Sequence, residues 1–287
     1  MSFITPFSLP KPLSTLVSLE KRTRPITCRL IDNMTQGSDE WHAARASSIG
    51  SSEAAAVFPG GISKTTTPAE LFAKLIDPTK KAKRVFHDAV LMAMERGTEM
   101  EDVLRQELAF ILGRPICTAG IFRTQGPPSV GYDISASPDG LVTDDDGLVV
   151  LAEFKWRMGT ADWDGDLGFT VFCQVQHQMV VIGCDSAYVY CGAEDESRSL
   201  WLVQRSPSYF QMWTSWAAKL KAEVDAALVS GGTKKIRSEA GSRTQTEAFL
   251  ALERRNHVVP LARGQLPQIL SQYGRTVREG PAQSTLI

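Results

Sequence analysis

Between Leu148 and Trp156 the chain runs through a stretch that is almost entirely apolar, with Glu153 and Lys155 set into its second half. Its β-branched and aromatic content at this length predicts a largely buried strand. Alternation puts Glu153 and Lys155 on one face and Val150, Ala152 and Phe154 on the other, toward a core. Upstream, Asp144-Asp145-Asp146-Gly147 is turn chemistry. It predicts a hairpin joining a strand around Tyr132 to Val142 to the strand at 148 to 156.

A helical period appears elsewhere. Met100, Leu104, Leu108 and Ile111 form a stripe through Met92 to Leu112, and Val171, Val175, Met179 and Ile182 a second through Thr170 to Gly183. A third stripe, Phe210, Trp213, Ala217, Leu220, Val224 and Leu228, predicts a packed helix from Pro207 to Val229, stopped by Gly231-Gly232. Ser38 before Asp39 and Glu40 is a helix start, with Trp41 and Arg45 one turn apart. Ser51-Ser52-Glu53 begins another helix, which Pro59-Gly60 ends. Gly232 to Arg243 reads as a linker and Thr244 to Arg255 as a short helix.

Charges on a buried strand are costly unless they are paired or meet a metal. Asp139, in Ser-Pro-Asp-Gly, precedes the hairpin turn, and adjacent antiparallel strands bring it near Glu153. Two close carboxylates repel unless a cation sits between them, and hard divalent ions such as Mg²⁺ favour such all-oxygen surroundings. Lys155 beside them is placed to orient or deprotonate a water. A Glu–Lys salt bridge next to an ordinary turn explains the same residues and stays open at this point. Glu101 falls one residue off its helical stripe, either a third carboxylate reaching the site or a surface-edge residue. Gln174 and Gln178 flank their stripe one turn apart. Phosphate or backbone contacts suit both, and a solvent-facing position suits Gln178 better than Gln174.

At 287 residues and 43% hydrophobic, the chain can bury a full core, and one catalytic domain with extensions is expected. The expected division is an arm over 1–30, the domain over 31–230 and a basic extension over 231–287. The five cysteines include no Cys-x-x-Cys, which argues against a disulfide framework or a zinc site. Cys28, Cys117, Cys173, Cys184 and Cys191 lie in or beside expected core elements, against an iron–sulfur cluster. No apolar run approaches a membrane span. The net charge is −1, divided as +5 from residue 231 onward and −6 before it. A basic tail serves nucleic-acid contact or solubility alike. Residues 1 to about 30 are rich in Ser, Thr and Pro and have Glu20 as their one acid. An organelle-targeting segment has this composition, although an arm on a phage or bacterial protein is simpler.

Asp139 followed by Glu153-Phe154-Lys155 resembles the PD-(D/E)xK nuclease signature. Gln36 to Arg45 with Ile49-Gly50-Ser51-Ser52-Glu53 resembles the amino-terminal motif of the lambda-exonuclease and YqaJ-type viral recombinase family. Glu95 to Glu101 is similar to that family's Gly-x-x-x-Glu helix, Gln174 to Met179 to its Gln-x-Gln helix, and Ala187 to Cys191 to the strand that follows. The resemblance spans roughly residues 36 to 225. It implies an α/β (α+β) fold with a restriction-endonuclease-like core, a central mixed β-sheet flanked by helices. It also implies Mg²⁺, with Mn²⁺ as a substitute, held by Glu101, Asp139, Glu153 and the Phe154 carbonyl. Lys155 would serve the attacking water, Gln174 would work with the catalytic group, and Arg45, Ser52 and Ser137 would hold DNA phosphate.

The activity implied is digestion of duplex DNA from 5′ ends, giving 5′-phosphate products and 3′ single strands for an annealing partner. A homotrimeric ring and a place in the cytoplasm of a bacterial host, encoded by phage or prophage, come with it. Two features depart from the pattern. Trp156-Arg157 stands where the family often has Cys-Pro, and the stretch before Gln174 carries Asp162, Asp164 and Asp166, which read as a loop without a role, as a group that repels DNA or as a further cation site. A DNA endonuclease of the same fold and a non-catalytic DNA-binding protein are the competing readings.

Overall fold

The computed structural model describes residues 29–31, 38–59, 66–78, 87–144, 147–157, 167–230 and 240–262. The amino-terminal arm as far as residue 28, Asp145 and Asp146 of the turn, the aspartates at 162, 164 and 166, most of the expected linker and the last stretch from 263 lie outside the described residues. The first elements are β1 (Arg29–Ile31), α1 (Asp39–Ala46), β2 (Ser48–Gly50), a 3-10 helix (Ser51–Val57), α2 (Pro68–Ile76) and α3 (Asp88–Leu112). β3 (Ile121–Gln125), β4 (Asp133–Ala136), β5 (Gly140–Thr143), β6 (Val149–Arg157), α4 (Phe169–Ile182) and β7 (Ser186–Ala193) form the middle. β8 (Arg198–Gln204), α5 (Pro207–Ser230), α6 (Ala240–His257) and β9 (Val258–Ala262) complete it.

The strands form two mixed sheets, in the orders β1-β3-β4-β2 and β5-β6-β7-β8-β9. The expected strand from Tyr132 to Val142 is in fact two: β4 belongs to the first sheet and β5 to the second, with Ser137-Pro138-Asp139 between them. Pro138 has no N–H to give a ladder, so the chain leaves one sheet there and enters the other. The hairpin after it forms as its turn residues require. Asp144 Oδ1 accepts from the Leu148 amide at 2.8 Å, and Gly147 takes the positive φ of 76°.

β6 shows why alternation is informative. Val150, Ala152 and Phe154 pack with Leu104, Leu108 and Ile111 of α3, while Leu151, on the opposite face, joins a cluster with Phe172, Val175 and Met179 of α4. β6, α4 and β7 make a parallel crossover unit, with Glu153 opposite Val189 in register. The helix therefore packs back over the strand that carries the two charges.

Several edges differ from expectation. The helix expected from Ser51 forms, as a 3-10 helix that ends at Val57. In α5 the buried line is Tyr209, Trp213, Ala217, Leu220, Val224 and Ala227, whereas Leu228 is 56% exposed. Cys117 is exposed, although Cys173, Cys184 and Cys191 are buried. α6 is longer than the short helix expected, and β9 extends the second sheet by pairing antiparallel with β8. Residues 240–262 thus place Leu250 in the larger core cluster. No helix among the described residues is long and apolar enough to cross a membrane.

His177 is buried in α4, where its Nε2 contacts the Ile49 carbonyl at 3.2 Å and its ring meets Trp213 edge-on at 5.0 Å. Burial holds its pKa down to about 4, so the ring is neutral, with Nε2–H donating to the carbonyl. Between the ordinary value of 6.5 and about 4 the unfolded chain binds this proton and the folded chain does not. Stability is therefore expected to fall as pH drops through that window, by about 3 kcal/mol from this group alone. Urea unfolding of the protein and of His177→Gln from pH 7 to pH 4 checks it. The wild type should lose that much more than the variant, and parallel curves would reject the assignment.

Candidate active site

Glu153 is fully buried at the α4 face of β6. Its Oε1 accepts from Gln174 Nε2 at 2.5 Å and from the Lys155 ammonium, and its Oε2 accepts from Gln178 Nε2 at 2.9 Å. Gln174 and Gln178 are one turn apart on α4, so both amides descend from one helix face onto one carboxylate. Gln178 is fully buried, which overturns its expected solvent-facing position.

Asp139 approaches from the β4–β5 crossing. Its Oδ2 accepts from the Phe154 amide at 2.8 Å, and its own carbonyl accepts from Arg105 Nη2 at 3.2 Å. Burial pushes its carboxyl well above the usual carboxylate range, and Glu153 and Glu101 add to the rise while Lys155 opposes it. Glu101, half-buried on α3, is raised by burial and by the charge of Glu153, against Lys155 and Arg105. Lys155 is 29% exposed. Burial lowers its pKa, but Glu153 and Asp139 raise it by more, so its net shift is upward and it is an ammonium. Glu101, Asp139, Glu153, Lys155 and Gln174 are thus gathered in mutual electrostatic range, from α3, the β4–β5 crossing, β6 and α4.

The donor set suits a hard divalent cation, because three carboxylates share one lysine, and two of them are raised by burial first and by the charge of their carboxylate neighbours second. Among the described residues, no three His, Cys, Asp or Glu side chains are already arranged as a metal cage. Both Glu153 oxygens are engaged by donors, and Asp139 Oδ2 is bonded to the Phe154 amide.

A second group borders the first. Arg45 Nη2 donates to Ser52 Oγ at 2.9 Å, and its guanidinium lies 4.2 Å from the Trp41 ring centre. Burial lowers its pKa, with Glu53 acting the other way. Gly50 makes this fit possible, since a Cβ there would stand 2.6 Å from Arg45 Nη2. β2 runs parallel to β4 with Gly50 opposite Ser135, so Ser51-Ser52 and Ser137-Pro138-Asp139 leave the same end of the first sheet. Ser137 is half-buried in that crossing.

Three contacts were not legible beforehand. Gln178 carries the signal of its spacing from Gln174. Arg105 stands one turn after Glu101, paired with Asp102 and 5.7 Å from the Phe154 ring centre. Lys74 bonds Glu53 at 2.7 Å and the Ser48 carbonyl at 2.9 Å, fastening α2 to the 3-10 helix, and no local pattern announces it.

The YqaJ-like viral recombinase domain matches residues 40–185, just over half of the chain. The chain belongs to this family. Every element of the carboxylate cluster falls within the match. Of solved structures, an alkaline exonuclease, LHK-Exo, from Laribacter hongkongensis is 21% identical at a TM-score of 0.50, covering 74% of this chain and 100% of that one. LHK-Exo in complex with dAMP gives the same values. A phage related exonuclease from Haemophilus somnus 129PT is 12% identical at a TM-score of 0.46, covering 66% of this chain and 98% of that one. At these identities the LHK-Exo likeness speaks for the fold, which is the restriction-endonuclease-like core with mixed sheets and flanking helices. No curated protein matches the chain.

Proposed function

We propose that this protein is a divalent-metal-dependent deoxyribonuclease that digests duplex DNA from 5′ ends. It leaves 3′ single strands for an annealing partner, with 5′-phosphate products. The observation that carries the reading is the convergence of Glu101, Asp139, Glu153 and Lys155 around the middle of β6, within the stretch matched by the recombinase family. LHK-Exo, an alkaline exonuclease by name, supports the exonuclease form of it.

Glu101, Asp139, Glu153 and the Phe154 carbonyl would hold Mg²⁺, with Mn²⁺ expected to substitute. When bound, such an ion polarises the scissile phosphate, lowers the pKa of a water and stabilises the leaving oxygen. Gln174 keeps Glu153 in place. Lys155, as an ammonium, orients the attacking water, and could take its proton only once the carboxylate charge around it is offset. Arg45 and Ser52, with Ser137 at the same end of the sheet, would grip a DNA phosphate, since among the described residues the guanidinium donates to a hydroxyl and lies against a ring, with Glu53 acting on it only through its charge. A nuclease domain over 31–230, to whose core and second sheet the carboxy-terminal extension adds α6 and β9, a ring of three copies and action inside a bacterial host belong to the same proposal.

The test is incubation with linear duplex carrying 5′-phosphates and with closed circular DNA, with Mg²⁺, with Mn²⁺ and with chelator. The expected result is loss of the linear DNA alone, from 5′ ends, abolished by chelation. Cutting of the circle would establish an endonuclease, and metal-independent binding without cutting a DNA-binding protein.

A further inference from the structure

The resemblance assigns a role to Gln174 and none to Gln178, yet the second glutamine is the more deeply placed. Its side chain is fully buried, and its Nε2 reaches Glu153 Oε2 at 2.9 Å. The amide orientation follows from chemistry, since an ionised carboxylate only accepts and the nitrogen must face it. The opposite end of the amide, Oε1, is buried without a hydrogen-bond partner among the described residues. Buried glutamines placed for packing usually satisfy both ends. This one satisfies only the end that faces Glu153.

Each oxygen of Glu153 thus has its own amide, Gln174 on Oε1 and Gln178 on Oε2. Two fixed donors determine the plane of a carboxylate, which one donor leaves free to turn. Both are neutral, so they hold the anion without cancelling the charge a cation would need. The third donor, Lys155, is charged and partly exposed.

We propose that Gln178 is a positioning residue for Glu153, fixing the orientation in which that carboxylate meets a divalent metal ion. This rests on the nuclease reading above. It predicts an effect on metal binding itself, which a packing role would not produce.

The experiment compares wild type and Gln178→Met, a replacement of similar length without the amide. Mn²⁺ binding is measured by calorimetry without DNA, and steady-state cleavage of linear duplex is measured separately. The expected result is Mn²⁺ affinity weaker by roughly 10-fold or more, as for loss of other outer-sphere partners. The turnover number falls in step, while KM for DNA ends stays unchanged. Mn²⁺ affinity and turnover equal to wild type would overturn the role of Gln178 and leave the nuclease reading intact. A wild type that neither binds Mn²⁺ nor cuts DNA would overturn both. Should Gln178→Met lose its native melting transition, Gln178→Asn replaces it, since it keeps a polar amide but withdraws it by one methylene. The same loss of Mn²⁺ affinity is expected there, and wild-type affinity would again overturn the proposal.

Discussion

Glu153→Gln is expected to lower DNA cleavage by about 10³-fold or more, equivalent to ~4 kcal/mol of transition-state stabilisation, while the melting temperature holds or rises. Glu153 is fully buried and central to the cluster, accepting from Lys155, Gln174 and Gln178 at once. An amide at this position has no negative charge to offer a cation. Its own N–H₂ would face side chains that are themselves donating. The fold has an answer to that clash, since Gln178 can turn its unsatisfied Oε1 toward the new donor. Removing the anion also removes a charge that, after burial, contributes most to raising Asp139. Activity and stability should therefore separate. Single-turnover cleavage under saturating Mg²⁺ and a thermal melt of the same preparation test this. A collapse of the melt would make Glu153 a structural anion, and retained cleavage would place the chemistry elsewhere.

What the sequence made legible depended on whether a residue's partners were local. Glu153 and Lys155 could be assigned a common face because a strand has period two and β6 is flanked by different layers on its two sides. Asp139 was placed near Glu153 by the hairpin register, though the structure reaches the contact by another route, with Pro138 breaking the expected strand into β4 and β5. The stripe of α3 was legible because one face of that helix packs and the other does not. α4 obeys no such rule. Nearly all of Phe172 to Val181 is buried, beneath strands of both sheets and against α5 and the 3-10 helix, so its polar residues have no water to face. Gln176 instead bonds the Gln204 carbonyl and the Ser206 amide, His177 the Ile49 carbonyl, and Gln178 Glu153. An amphipathic reading of such a helix assigns its polar residues to solvent by default and errs at Gln178. The misplaced Leu228 has a similar origin, because the buried line of α5 passes through Ala227 and no local rule prefers the smaller residue. β9 was hidden by Pro260, which argues against a strand except at an edge, and an edge is where it lies, opposite Trp201 beside a bulge.

Lys155→Met should slow cleavage by roughly 10² to 10⁴-fold, the range of a lost proton-handling or water-orienting group, and should not weaken metal binding. The second half of this expectation separates lysine from the carboxylates around it. Lys155 is a cation already paired with Glu153, and it opposes the rise of both Asp139 and Glu101. Taking it away leaves the three carboxylates with more unbalanced negative charge. A divalent ion entering that space is attracted more strongly, so Mn²⁺ affinity measured without DNA should stay the same or increase. Glu153→Gln should move affinity the other way. Arginine is not expected to rescue Lys155→Met, because its planar guanidinium cannot take the place of a compact ammonium bonded to Oε1, and it stays charged throughout. If Lys155→Met binds Mn²⁺ more weakly than wild type, the ammonium supports the geometry of the site rather than acting beside it. If the variant cuts DNA at the wild-type rate, the pair set into the middle of β6 is a salt bridge and nothing more.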